Sequence, residues 1–431
     1  MGEFLFQEKA LLNGRSFETF LFLLTSIRGT KEKSFRNRLV LIVMKKSATA
    51  GLLPVGMTDV LPPFASFEAE SIERIISVFS GFGYQRVSPP LLEFEETLFS
   101  SHHSDISRQT FRLTDPLSGR MMGVRADMTP QISRIATTRL KDEPRPLRLA
   151  YAGAVLRVEG TQLDPSRQVM QVGAELIGAD SAKADAEIIL LADEALKVLG
   201  AEDISFDLNL PTLFPALCSA FSIDREDRAF LAACLNQKDF SAALAKLRAM
   251  GKKARSNIPL FEALFQSYGD CERVLTVLKP LELPSEAAAE SRRLIDVLSL
   301  LKKERPDLKI TVDALENRGF EYHCGIGFSL FSGRDGTELG RGGRYIAGIP
   351  GGFSEPAAGV TLFMENVMRI LEKGGRPKRV YVPGDIAFGE AFTLRSEGYV
   401  VVCGLASGDA FAEARRLSCD CLYREGKVQP F

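Results

Sequence analysis

Tyr151 to Glu159 reads YAGAVLRVE and Arg167 to Glu175 reads RQVMQVGAE. Both are apolar runs with the alternation or β-branched content of strands. In the second run Gln171 and Glu175 stand an even number of positions apart, so strand alternation keeps both on one sheet face. An isolated carboxylate in an alternating strand ordinarily marks its solvated side. Arg157 and Glu159 read in the same way as an exposed cross-strand pair of little energetic weight.

Outward from this pair, Arg148–Val158 and Arg167–Ile177 are the full runs, and Ile204–Leu210, Ile310–Val312, Gly325–Phe331 and Ala357–Phe363 are further strand candidates. Helices lie outside them. Phe64, Phe67, Ile72, Ile75, Ile76 and Phe79 recur at helical spacing after Pro62-Pro63 and stop at Gly81 and Gly83. Thr129-Pro130 predicts an N-cap with proline at the first helical position, and QISRIATTRL continues the helix. Asp180–Gly200 opens on Asp180-Ser181, buries Ile188, Leu191, Ala195 and Leu199, and closes on Gly200. Strands in series with helices outside them predict an α+β domain on a largely antiparallel sheet.

Pro211–Glu304 is rich in Ala, Leu, Lys and Glu without strand-like runs and reads as a helical insertion at about 211–304. After Leu371 the polar linker EKGGRPK leads to a small C-terminal α/β domain, residues 373–431. The core is therefore expected over 51–372. Residues 1–50 read as an N-terminal extension, poorly ordered or mis-started, with Met44 as the natural beginning. Its apolar runs Phe20–Leu24 and Leu39–Met44 flank the basic stretch Lys31–Arg38. Neither approaches the ~20 residues that cross a bilayer.

At 431 residues the length prior allows about three domains. The net charge of -1 offers no global attraction to a polyanion, which argues against tRNA as a partner. Seven scattered cysteines without a Cys-x-x-Cys pair suggest reduced thiols in a cytoplasmic protein. With three histidines, two of them adjacent at His102 and His103, no metal site is expected, and no cofactor is.

Four further stretches accompany the two strands in chain order: Leu52–Pro62 (LLPVGMTDVLP), Val124–Pro130 (VRADMTP), Glu316–Cys324 (ENRGFEYHC) and Gly340–Tyr345 (GRGGRY). The six together, over roughly Leu52 to Leu371, resemble the histidyl-tRNA synthetase family, whose core is that of the class II aminoacyl-tRNA synthetases. YAGAVLRVE and RQVMQVGAE look like its second motif, an Arg-x-Glu strand, a turn and a Gln-x-Gly-x-Glu return strand. Within that group the pattern is similar to the ATP phosphoribosyltransferase regulatory subunit family, a synthetase-like paralogue serving histidine biosynthesis.

The resemblance implies a histidine-binding pocket. Asp127 and Thr129 would sit by the α-ammonium, Arg157 by the α-carboxylate, and Gln171 with Glu175 by the imidazole, to which Glu175 would offer an acceptor. Arg318, Tyr322 and Tyr345 extend the same pocket. His323 stands where the family usually has a second tyrosine, and Asp127 is one methylene shorter than the expected glutamate. The Gly340–Gly343 stretch has no downstream Lys-Ser/Thr and reads as a tight turn between strands rather than a phosphate loop.

Ala358–Leu371 reads AGVTLFMENVMRIL, and Asn366 stands where the synthetases carry an arginine on ATP phosphate. One charge-assisted contact of that kind is worth about 1.5 to 3 kcal/mol. Arg369 falls on another part of the helical turn, and the 59 residues from Lys373 are too few for the anticodon-binding domain of the synthetases. The implied protein is a non-catalytic regulatory subunit that binds the short catalytic subunit of ATP phosphoribosyltransferase and mediates histidine feedback. It would be a homodimer within a hetero-oligomer, without tRNA or membrane partners. The alternatives are a histidyl-tRNA synthetase or free-standing class II amino-acid-adenylating ligase, and a scaffold with a dead pocket.

Overall fold

The two opening runs become adjacent antiparallel strands, β5 (Leu147–Leu156) and β6 (Gln168–Ile177), in register from Leu147 opposite Ile177 to Leu156 opposite Gln168. The structure, a computed structural model, describes residues 51–99, 104–160, 165–316, 323–348, 352–371, 378–406 and 408–431. The expected extension over 1–50 lies outside the described residues, as do Arg318, Tyr322, His102 and His103.

Seven more strands complete a nine-stranded sheet: β1 (Gln85–Arg86), β7 (Ile204–Asn209), β8 (Tyr268–Asp270), β9 (Lys309–Asp313), β10 (Gly327–Ser332), β11 (Glu338–Gly348) and β12 (Ser354–Phe363). The order is β1-β5-β6-β12-β11-β10-β7-β9-β8. Only the β1/β5 and β7/β9 pairs are parallel, so the expectation of a largely antiparallel sheet holds. Short strands β2 (Leu92–Phe94), β3 (Arg112–Thr114) and β4 (Met121–Val124) form a separate sheet in the order β2-β4-β3.

Alternation along these strands separates two faces. One carries Ala150, Val172, Ala174, Leu176, Phe206, Leu208, Phe328, Leu330, Ala358, Val360 and Leu362 into the main core, against helices Phe64–Gly81, Ala182–Val198 and Ser285–Glu304. Burying each of the Val, Leu and Phe side chains among them contributes about 1.5 to 3 kcal/mol. The other face carries Leu149, Tyr151, Tyr345 and Ala357 and packs on Met128, Ile132 and Ala136 of the segment around helix Thr129–Thr138. That helix covers only part of its face. The uncovered part is where polar residues collect.

The helix over residues 182–198 begins as the sequence predicts, with the Ser181 hydroxyl accepting from Ala184 N, and Gly200 adopts φ +84° beyond its end. Leu196 takes the buried place expected of Leu199. Helix Thr129–Thr138 starts differently from expectation. Met128 holds the cap position, Thr129 is already helical, and the Thr129 N–H donates to Asp127 Oδ1 at 3.0 Å. The Thr129 hydroxyl donates elsewhere, so it is not a cap.

The largest departure lies at Gly340–Gly343, which is no turn. These residues are the middle of the 11-residue strand β11, paired on both sides. A Cβ at Gly340, Gly342 or Gly343 would run into Thr361 O, Gly359 O or the His323 ring respectively. Glycine marks close approach of neighbouring atoms here, not a change of chain direction. The insertion contains seven helices between Leu213 and Glu304, and its one short strand, β8, was not anticipated. Asp224, Asp239 and Asp270 each cap one of those helices by accepting from the N–H three residues on.

The residues from 378 onward form their own four-stranded sheet of β13 (Arg379–Val382), β14 (Val400–Cys403), β15 (Cys421–Arg424) and β16 (Lys427–Pro430), ordered β14-β13-β15-β16. Helices Phe388–Ser396 and Ala410–Arg416 connect its parallel strands. This is the α/β arrangement expected of the tail.

A buried ion pair ties the sheet to its helices. Arg344 on β11 holds Asp185 at 2.6 to 2.8 Å, both side chains are 4% exposed, and Arg293 reaches the same carboxylate at 3.0 Å. Burial still pushes the Asp185 carboxyl above its usual range, with the two arginines acting against that rise. Removing one partner strands a charge away from water, at about 3 to 5 kcal/mol. Arg344→Met is therefore expected to lower the urea midpoint with an unchanged slope. An unshifted midpoint would show that Arg293 alone satisfies Asp185.

Candidate functional site

The sheet register sets the floor of the site. Glu175, Gly359, Gly343, Gly327, Asn209 and Asp313 are successive partners across six strands, so they form one row on one face. The next row is Tyr151, Gly173, Thr361, Arg341, Ser329, Asp207 and Thr311. Glycines stand beside the large polar side chains for a steric reason. A Cβ at Gly359 would overlap the Glu175 carboxylate, and one at Gly173 would overlap the Tyr151 hydroxyl.

Above this floor lies a cavity of about 300 Å³ lined by Gln109, Asp127, Thr129, Arg157, Gln171, Glu175, His323, Glu338, Arg341, Tyr345, Thr361, Phe363 and Asn366 among others. That volume is at the lower end for small-molecule sites. Six of the eight residues expected at a histidine pocket meet here: Asp127, Thr129, Arg157, Gln171, Glu175 and Tyr345. Arg318 and Tyr322 lie outside the described residues.

Glu175 is 1% exposed, so it is not on the solvated side of its strand. Its Oε2 accepts from the Tyr345 hydroxyl at 2.9 Å, and its Oε1 accepts from Thr129 at 3.0 Å and from Tyr151 at 3.3 Å. Burial pushes the carboxyl from 4.5 up to about 8; the Tyr345 and Thr129 hydroxyls pull against that and the Asp127 charge adds to it. The Tyr151 phenol is held well above its usual range, first by burial and then by the Glu175 charge. Tyr151 also meets the Thr361 hydroxyl at 2.7 Å, which completes a buried hydroxyl–carboxyl cluster.

Gln171 lies on the same face as Glu175, as alternation requires, and its Oε1 accepts from Met128 N at 3.1 Å. Arg157 follows the end of β5 and its side chain lines the cavity rather than pairing with Glu159 on the surface. Its buried Nε has no hydrogen-bond partner among the described residues. A buried guanidinium donor left open in a cavity calls for an acceptor from a ligand.

Asn366 sits in the first turn of helix Met364–Ile370. It lines the outer part of the cavity, and its Nδ2 donates to Glu338 O at 2.8 Å. Arg369 is exposed and does not line the cavity. The cavity is thus lined by two guanidinium groups and three carboxyls, one of which, Glu175, holds its proton up to about pH 8. Such a balance suits a zwitterion better than a triphosphate.

The family model described as histidyl-tRNA synthetase matches residues 56–367. An ATP phosphoribosyltransferase regulatory subunit from Paramagnetospirillum magneticum is 49% identical over 87% of this chain and 97% of its own length. The one from Rhodospirillum centenum is 43% identical over 89% of this chain and 97% of its own. The chain belongs to the ATP phosphoribosyltransferase regulatory subunit family. Among solved structures, a protein from Bacillus halodurans described as an ATP phosphoribosyltransferase regulatory subunit/histidyl-tRNA synthetase superposes with a TM-score of 0.72 at 22% identity. That match covers 85% of this chain and 96% of the other. A histidyl-tRNA synthetase from Nostoc superposes with a TM-score of 0.71 at 16% identity, covering 86% and 90%. At these identities the likeness establishes the class II synthetase fold.

Tyr151, Thr361, Glu338 and Arg341 are cavity or cluster residues that sequence reasoning missed. Tyr151 carried a usable signal, since it opens the strand that leads to Arg157. Arg341 lay in GRGGRY, hidden by the reading of that stretch as a turn. Among the described residues no helix is long and apolar enough to cross a membrane.

The buried Glu175 has a pH signature. Its folded-state pKa lies above the unfolded one, so its contribution to stability is full below about pH 4.5 and is lost as pH rises through about 8. The gap corresponds to an upper bound of about 4 to 5 kcal/mol. Urea unfolding across pH 5 to 8 should show wild-type stability falling with pH more steeply than that of Glu175→Gln. Parallel curves for the two proteins would place the titration elsewhere.

Proposed function

We propose that the chain binds the short catalytic subunit of ATP phosphoribosyltransferase, as a homodimer within a cytoplasmic hetero-oligomer, and that histidine in the cavity is its effector. The observation that carries this reading is the asymmetry of the cavity. The inner part keeps a buried carboxyl cluster around Glu175 and an arginine with an open donor at Arg157, whereas the outer part has Asn366 in place of a phosphate-binding arginine.

In this reading Arg157 meets the α-carboxylate of histidine and Asp127 with Thr129 the α-ammonium. Gln171, Glu175 and Tyr345 surround the imidazole, and Arg318 and Tyr322 belong to the same pocket. The six of these residues that line the cavity come from the segment entering helix Thr129–Thr138, from the residue after the end of β5, and from β6 and β11. Coupling of about 1 to 3 kcal/mol between effector and partner sites is typical and reciprocal.

The test is to mix the purified chain with a short catalytic subunit and assay phosphoribosyl-ATP formation with and without histidine. Activity is expected to need both proteins and to fall on adding histidine. Catalysis that is indifferent to this chain, or histidine-dependent ATP–pyrophosphate exchange by this chain alone, would overturn the reading. Arg157→Leu should weaken calorimetric histidine binding by about ten- to a hundredfold, as expected for one charge-assisted contact. Unchanged affinity would remove the pocket assignment and leave the partnership standing.

A further inference from the structure

In a regular strand, residues three apart face opposite sides of the sheet. Glu338 and Arg341 on β11 do not. Leu330 of β10 pairs with Gly340 and the next residue, Phe331, pairs with Glu338, so Leu339 is an extra residue in β11. This bulge turns Leu339 into the main core and swings Glu338 onto the cavity face beside Arg341.

The two side chains then meet as a fork. Arg341 Nε lies 3.1 Å from Glu338 Oε1 and Arg341 Nη2 lies 2.8 Å from Oε2, while the Ser329 hydroxyl donates to Oε1 at 3.1 Å. The guanidinium also sits 5.8 Å from the centroid of the Phe363 ring. This is the geometry in which an arginine binds a phosphate or carboxylate ligand, except that the carboxylate belongs to the chain.

Asn366 offers the cavity no free donor in the place of an arginine. Glu338 O can only accept, so the amide must turn Nδ2 toward it, which leaves Oδ1 as the other end. Asn366 Oδ1 is buried and has no hydrogen-bond partner among the described residues. The carboxylate that this part of the cavity presents is that of Glu338, where an incoming phosphate would need donors.

We propose that Arg341, Ser329 and the Phe363 ring form a latent oxyanion subsite, and that Glu338 is the resident anion that fills it and shuts phosphates out of the cavity. On this proposal nucleotide is excluded by a group that is present as well as by an arginine that is missing. The subsite is independent of whether histidine fills the inner part.

The experiment titrates inorganic tripolyphosphate, and separately ATP, into the full chain and into Glu338→Ala and Glu338→Gln. The wild type should give no binding. Both variants should bind tripolyphosphate at least about tenfold more tightly than wild type, with affinity falling as salt is raised. Adding Arg341→Leu to Glu338→Ala should abolish the gain. Wild-type binding as tight as that of the variants, or folded variants that gain nothing, would overturn the proposal. So would unfolding of both variants, because a carboxylate that only fills an anion site is dispensable to the fold. Histidine titrated into the same wild-type sample reads the effector assignment separately.

Discussion

A carboxyl group buried on the face of a nine-stranded sheet is the constraint around which this site is arranged. Glu175 must lie flat across its neighbours to stay inside, and only glycine on the adjoining strand leaves room for it at 359. The group must also keep hydrogen-bond partners, because an unpaired buried carboxylate costs several kcal/mol. Thr129, Tyr151 and Tyr345 supply them from a helix and two different strands. Sheet register, the start of helix Thr129–Thr138 and the glycine content of β11 and β12 are thereby linked through one side chain. A slip of one residue in any of those pairings would turn its partners to the opposite face.

The two ends of the cavity differ in the groups that line them. Toward β5 and β6 the cavity holds the Arg157 guanidinium and the buried Glu175 carboxyl. Toward β11 and helix Met364–Ile370 it is lined by the chain's own ion pair, Glu338 forked by Arg341, and by a neutral amide tied to the backbone. The proposed exclusion of phosphate has two parts, one subtractive at Asn366 and one additive at Glu338.

Much of the architecture was legible in the sequence because the periodicities are clean. Strands β5, β6, β7, β9, β10 and β12, the helix after Pro62-Pro63 and the Ser181-capped helix fall within a few residues of their expected limits. The co-location of Asp127, Thr129, Arg157, Gln171, Glu175 and Tyr345 was legible only as a pattern of six ordered segments, since each residue alone reads as surface or cap. Three features were not legible. Thr129 followed by proline carries the signature of a cap, but the hydroxyl is drawn to Glu175, a partner 46 positions away. The glycines of GRGGRY signal a turn locally, and their role in a strand depends on His323 and on strand β12 pressing against them. The bulge at Leu339 leaves no mark in composition or spacing.

The sequence by itself determined the fold class, the order of the strands along the chain and the set of polar residues available to a site. These follow from periodicity and residue type, which are local. The tertiary structure alone decided which of those residues are buried, what each one bonds, and where charge is already neutralised. Those properties depend on contacts between strands and helices remote in the chain. Glu175 shows the difference: alternation could place it on a face, but only the packing of Gly359, Tyr345, Tyr151 and Thr129 around it makes that face an interior and raises its pKa to about 8.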